Sequence, residues 1–174
     1  MNIRTVIKVI NTMKDEGAIE HYAIGGAVGA TFYLEPFSTL DVDIFITFKS
    51  AENSLILSPA PVFDYLREAG FEMEGEYFLI GGWPVQFLPP HSPLVDEALA
   101  KATSLQVDDA PVSVMTAEHL ASIALELGRP KDKARLLQFL DEGALDMTLF
   151  EGILTRYQLT QKWLTFQSQF LSDQ

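Results

Sequence analysis

The stretch Ile24-Gly25-Gly26-Ala27, followed after a short gap by Ser38-Thr39-Leu40-Asp41-Val42-Asp43-Ile44-Phe45, decides how this chain is read. The run His21-Tyr22-Ala23-Ile24 ends in a glycine pair, which predicts a short buried strand, a tight turn and a helix start. The second stretch predicts a strand that carries two carboxylates. Side chains alternate along a strand, so Asp41 and Asp43 share one face, while Val42, Ile44 and Ile46 share the other, where a core would lie. Aspartate is a poor strand former, and two like charges on one face repel. A divalent cation compensates for that repulsion, and Mg²⁺ is usually held by one or two carboxylates plus substrate phosphates. The turn at Gly25-Gly26 opens a helix whose first N–H groups lack intrahelical acceptors and suit a phosphate. Taken singly, the glycine pair is ordinary turn punctuation and Asp-Val-Asp a strand end in a loop. Together they place a phosphate cradle beside a metal clamp.

Working outward, residues 3–15 carry Ile3, Val6, Ile7, Val9, Ile10 and Met13 at helical spacing, and Gly17 ends that helix. The helix after the glycine pair is expected over residues 27–34, stopped by Glu35-Pro36. A strand over 41–48 and a loop over 50–58 follow. Ser58-Pro59 reads as the cap of a helix running to Glu68, with Gly70 as its stop. Residues 71–80 read as a hairpin around Gly75. Gly81-Gly82 turns into a strand over 83–88, closed by Pro89-Pro90. A helix over 93–102, starting near Ser92, precedes two short strands over 104–107 and 112–115. From Thr116 onward the pattern is helical. Thr116, Asp146 and Thr160 are the expected caps, and Gly128 and Gly143 the breaks. The expectation is an α/β unit with a mixed sheet over residues 1–115 and a helical region over 116–174 packed on it.

Composition narrows the partners. The 174 residues include 24 Asp and Glu against 12 Lys and Arg, a formal charge of −12. Coating duplex DNA needs cations to neutralise phosphates, so nonspecific duplex binding is not expected. The dense basic cluster is Arg129, Lys131, Lys133 and Arg135, read either as a phosphate-facing patch or as a solvated helix face. No run is long and apolar enough for a transmembrane helix, no signal-peptide core follows Met1, and cysteine is absent. A cytoplasmic location and no membrane partner are the expectations. His21, His91 and His119 share no metal-ligand spacing. Phe166, Phe170 and Leu171 read as core contacts or as a partner surface.

The order glycine pair, helix, then Asp-apolar-Asp on a strand, with Thr39 two residues before Asp41, resembles the nucleotidyltransferase fold of the DNA polymerase β superfamily. Small bacterial nucleotidyltransferases and the nucleotidyltransferase toxins of abortive-infection systems resemble it most. The resemblance covers residues 20–88 by motif and continues more weakly to 140. It implies an enzyme that takes a nucleoside triphosphate and Mg²⁺ or Mn²⁺. It implies transfer of a nucleotidyl group to a hydroxyl of an RNA, a protein or a small molecule. Asp41 and Asp43 would be the catalytic metal ligands; Gly25, Gly26, Ser38 and Thr39 would bind the nucleotide. Arg129, Lys131 and Asp132 resemble an Arg-x-Lys-Asp segment that approaches the nucleotide in related proteins, which makes Lys131 a phosphate contact. The family holds two metals with a third carboxylate from a later strand, and here the matching position is Gln86. An amide cannot act as a base or supply negative charge. Glu72, Glu74 and Glu76, in the adjoining hairpin, are either substitutes for that acid or solvent-facing side chains. The departure supports an alternative: a catalytically weakened binding module acting through a protein partner of the antitoxin type.

Overall fold

The structure, a computed structural model, describes residues 2–36, 38–47 and 59–171. The chain runs α1 (Ile3–Asp15), β1 (His21–Ile24), α2 (Gly26–Ala30), β2 (Val42–Thr47), α3 (Ala60–Glu68), β3 (Met73–Glu74), β4 (Tyr77–Ile80) and β5 (Trp83–Leu88). It continues through α4 (Pro93–Ala100), β6 (Thr103–Val107), β7 (Ala110–Val114), α5 (Ala117–Leu127), α6 (Pro130–Asp141), α7 (Met147–Arg156) and α8 (Thr160–Phe170). The fold is α/β, with one mixed sheet in the order β3-β4-β5-β2-β1-β7-β6. β2 lies at its centre, antiparallel to β1 and parallel to β5.

Alternation along β2 distributes its side chains as strand geometry requires. Val42, Ile44 and Ile46 are fully buried on one face, in a cluster with Val6, Ile10 and Met13 of α1 and Val62 and Leu66 of α3. Phe45 turns to the other face, where Ala23, Leu94 of α4, Leu120 of α5, Leu136 of α6, Phe150 of α7 and Trp163 of α8 form a second cluster. That second core joins the C-terminal helices to the sheet, and it carries Asp41 and Asp43 on the face those helices cover. Among the described residues, no helix is long and apolar enough to cross a membrane.

Local departures have local causes. The helix expected over 27–34 is α-helical only for Gly26–Ala30. Beyond it the bonds shorten to three-residue spacing, Phe32 N–H to Gly29 O and Tyr33 N–H to Ala30 O, and Thr31 Oγ1 donates back to Val28 O at 2.7 Å. Thr160 is not a cap. Leu159 holds that position, after Gln158 enters the left-handed region at φ 58 and Leu159 N–H bonds Leu154 O. Thr116, Ser92 and Asp146 do cap their helices, accepting from His119, Val95 and Thr148 N–H respectively. α3 begins after Pro59, and the Ser58 cap and the 50–58 loop lie outside the described residues.

Candidate active site

The glycine pair acts by removing bulk. Gly25 N–H bonds Asp43 O at 3.0 Å, which ties the start of α2 to β2. A Cβ on Gly25 would stand 2.6 Å from the Phe45 ring and 3.2 Å from Met115 Sδ. Gly26 has φ +56, in the left-handed region that favours glycine, and a Cβ there would overlap Asp43 Oδ2. The turn is therefore shaped around the second aspartate. Asp41 sits one residue before β2, half-buried, with Thr39 Oγ1 3.3 Å from its carbonyl and 3.5 Å from its carboxylate.

A cleft of about 680 Å³ opens over this turn. It brings together Gly26, Ser38, Thr39, Asp41, Asp43 and Gln86 from the sheet side and Lys131 from α6. Gly25 does not line it, being buried as the residue before α2. Gln86 is in register with Asp43 on the neighbouring parallel strand, so the amide occupies the place where the resemblance looks for an acid. Glu72, Glu74 and Glu76 are exposed and do not line the cleft, so they are not its missing carboxylate.

The electrostatics follow from this placement. Burial pushes the Asp43 carboxyl above the usual aspartate range, and the charge on Asp41 pushes it further. Lys131, Arg135 and Arg129, which line the same cleft, pull in the opposite direction, whereas Lys133 of the same basic cluster lies over the Phe170 ring at 5.6 Å. Asp132 is completely buried and fixes two of those cations, with Arg129 Nε at 2.5 Å and Arg135 at 3.6 Å. Arg129, Lys131 and Arg135 are thus cleft groups, as is Gln138. Arg135 had a readable signal: it is four residues after Lys131 and three after Asp132, on one helix face. His91 also reaches the cleft, its ring 6.4 Å from that of Phe45. Sequence spacing gave it no role.

The fit to a metal can be tested on these residues. Among the described residues no group of three or more His, Asp or Glu side chains converges as a metal cage. Two carboxylates whose charges repel in a half-buried cleft fit one divalent cation that completes its shell with phosphate and water. They do not supply a second metal, because Gln86 brings no charge.

No family model matches the sequence, and no curated protein matches it. Solved structures do match. An antigenic nucleotidyltransferase-like protein from Paracoccidioides brasiliensis aligns at a TM-score of 0.57 with 17% identity, over 91% of this chain and 90% of that one. The solution structure of the antibiotic-resistance factor ANT(2'')-Ia aligns at a TM-score of 0.50 with 15% identity, over 95% of this chain and 98% of that one. Both extend over the sheet and the C-terminal helices together. With the glycine turn, the Asp41–Asp43 pair and the mixed sheet already in place, the chain has the nucleotidyltransferase fold.

Proposed function

We propose that the chain is a nucleotidyltransferase whose cleft binds a nucleoside triphosphate with one Mg²⁺ or Mn²⁺ and transfers the nucleotidyl group to an acceptor hydroxyl. The observation that carries this reading is the opposition, across one cleft, of Asp41 and Asp43 to Arg129, Lys131 and Arg135. A divalent cation on the aspartates would neutralise the phosphates and orient the leaving group. The chain's own groups do the rest. Gly26 and Ala27, in the first turn of α2, line the cleft with Ser38 and Thr39, and their N–H groups and these hydroxyls would be the phosphate donors. Lys131 and Arg129 bind phosphate oxygens as charge-assisted donors, with Arg129 held in place by Asp132.

In the reaction the acceptor oxygen bonds to the α-phosphorus, the bond to the bridging oxygen breaks, and pyrophosphate leaves with that electron pair. The hydroxyl proton cannot go to Gln86, so an aspartate oxygen or water receives it. The antibiotic-resistance factor among the fold neighbours makes a small-molecule hydroxyl the first acceptor class to assay, ahead of RNA and protein. A toxin-type role with an antitoxin partner rests on the motif resemblance alone. Gln86 beside Asp43 favours one second reading, nucleotide binding without turnover.

The test is release of pyrophosphate from each nucleoside triphosphate with Mg²⁺ or Mn²⁺ across acceptor mixtures. The expected result is release that Asp41→Asn lowers by about a hundredfold or more, the scale of losing one group that stabilises the transition state. Tight nucleotide binding without pyrophosphate release for any acceptor would replace this reading with the second one.

A further inference from the structure

The cleft is not uniformly charged, and its polarity changes in one step along the sheet. β2 and β5 run parallel, with Asp43 beside Gln86 and, two residues on, Phe45 beside Leu88. Two residues of strand span about 7 Å. Over that short distance the floor passes from carboxylate and amide to aromatic ring and hydrocarbon. Above the apolar part, α5 lines the cleft with Leu120, Ile123, Ala124 and Leu127, at i, i+3, i+4 and i+7. This is one continuous helix face without a polar side chain. Leu127 is 45% exposed, so hydrocarbon faces solvent at the rim. The cationic side chains Lys131 and Arg135 come from α6, and Arg129 from the cap residue just before it.

A nucleotide has the same order of chemistry: anionic phosphates, then a sugar, then an uncharged flat ring. Resting on the nucleoside triphosphate reading above, we infer that the α5 face and the Phe45–Leu88 floor hold the nucleobase by apolar packing, so that the protein selects bases by ring area and not by hydrogen-bond pattern. Leucine, isoleucine and alanine side chains have no donor or acceptor, so this wall cannot tell an exocyclic amino group from a keto oxygen. A site discriminates strongly when its own buried polar groups are left unpaired by the wrong ligand, and this wall has none to leave. Stacking and dispersion tolerate any base and grow with its area, which ranks both purines above both pyrimidines. His91, beside Phe45, is exposed at the open edge, so its ring nitrogens are not buried polar groups that a wrong base would leave unpaired.

The experiment measures binding of ATP, GTP, CTP and UTP analogues that carry a methylene between the α and β phosphorus, with Mg²⁺, beside inorganic tripolyphosphate. Expected are affinities for the two purines within about threefold of each other, both above the pyrimidines, and all four at least about tenfold above tripolyphosphate. Leu127→Ser, at a partly exposed position that does not endanger the fold, should weaken all four analogues and leave tripolyphosphate binding unchanged. A preference for one purine over the other beyond about a hundredfold would overturn the inference, because hydrogen bonds would then be reading the base. Nucleotides binding no tighter than tripolyphosphate would also overturn it while leaving the phosphate site standing. If neither nucleotides nor tripolyphosphate bind, the nucleotide reading itself fails and takes this inference with it.

Discussion

Asp43 and Glu97 are both carboxylates sheltered beneath the C-terminal helices, and their surroundings are opposite. Glu97, on α4, accepts from Arg156 at 2.6 Å, from Tyr157 Oη at 2.5 Å and from His119 Nε2 at 3.3 Å, with Lys101 also at 3.3 Å. The hydrogen bond from Arg156 leads in holding its carboxyl well below the usual range, helped by Tyr157, His119 and Lys101. His119 is pushed down by burial, with Glu97 acting against that, and its other ring nitrogen meets Thr116 Oγ1 at 2.8 Å. Asp43 has the reverse balance. No hydrogen bond is among the causes of its shift: burial and Asp41 raise its pKa, and the charges of Lys131, Arg135 and Arg129 act against them. A carboxylate whose lone pairs are filled by protein donors fastens helices together. One left unfilled, next to a second carboxylate and over a cleft, has room for a ligand that the protein does not contain.

Mutations separate the two by sign. Glu97→Gln has the largest expected effect, because it weakens one acceptor shared by Arg156, Tyr157, His119 and Lys101. The two cations are largely exposed and regain water, so the loss is that of charge-assisted hydrogen bonds, about 2–3 kcal/mol, or about 4–12 °C of melting temperature for a chain this long. The sign with pH follows from a depressed folded-state pKa. The stabilisation is complete above the ordinary glutamate range and is lost as pH falls below it, so wild type and Glu97→Gln should converge in acid. Melting curves across pH check this; a gap that stays constant into acid would contradict the fastening role.

Gly26→Ala comes next. It forces a side chain into a left-handed backbone and drives a methyl into Asp43 Oδ2, a cost of about 2 kcal/mol that shows in denaturant unfolding. Asp43→Asn has the smallest effect and the opposite sign. A raised folded-state pKa means that ionisation costs the fold, increasingly as pH climbs from the ordinary aspartate range through the shifted value. Removing that charge should raise stability slightly at neutral pH, as expected where function strains a site. A destabilised Asp43→Asn would mean that Asp43, like Glu97, is structural.

The sequence made the Asp43 side of this comparison readable and hid the Glu97 side. Gly25-Gly26 and Asp41-Val42-Asp43 lie close in the chain, and strand alternation alone places both acids on one face. Gln86 was readable because parallel pairing puts it beside Asp43 once β5 is recognised. Lys131 was readable from a motif; Arg135 was readable as a member of the basic cluster, and choosing it over Lys133 as the cleft group needed the helical face of α6 to be drawn. The Glu97 cluster joins residues 59 and 60 positions apart on α4 and at the end of α7, and no periodicity links them. The helix after the glycine pair was expected, but its early end at Ala30 was missed, because small residues are compatible with α-helix and with the tighter turns that Thr31 favours. The apolar half of the cleft was hidden for a further reason. Leu120, Ile123, Ala124 and Leu127 form an ordinary core stripe in sequence, and only the packed structure places that stripe against the cleft.

The central claim is that Asp41 and Asp43 hold a divalent cation which in turn holds a nucleotide. The most direct measurement is thermal melting with each nucleoside triphosphate, with and without Mg²⁺ or Mn²⁺, for the wild type and Asp41→Asn/Asp43→Asn. Ligand at about a hundred times its Kd adds about 2.7 kcal/mol, which at about 2–4 °C per kcal/mol is plainly visible. The account predicts a nucleotide shift that requires the metal and disappears in the double variant. A shift of equal size without metal, or one that survives loss of both aspartates, would contradict it.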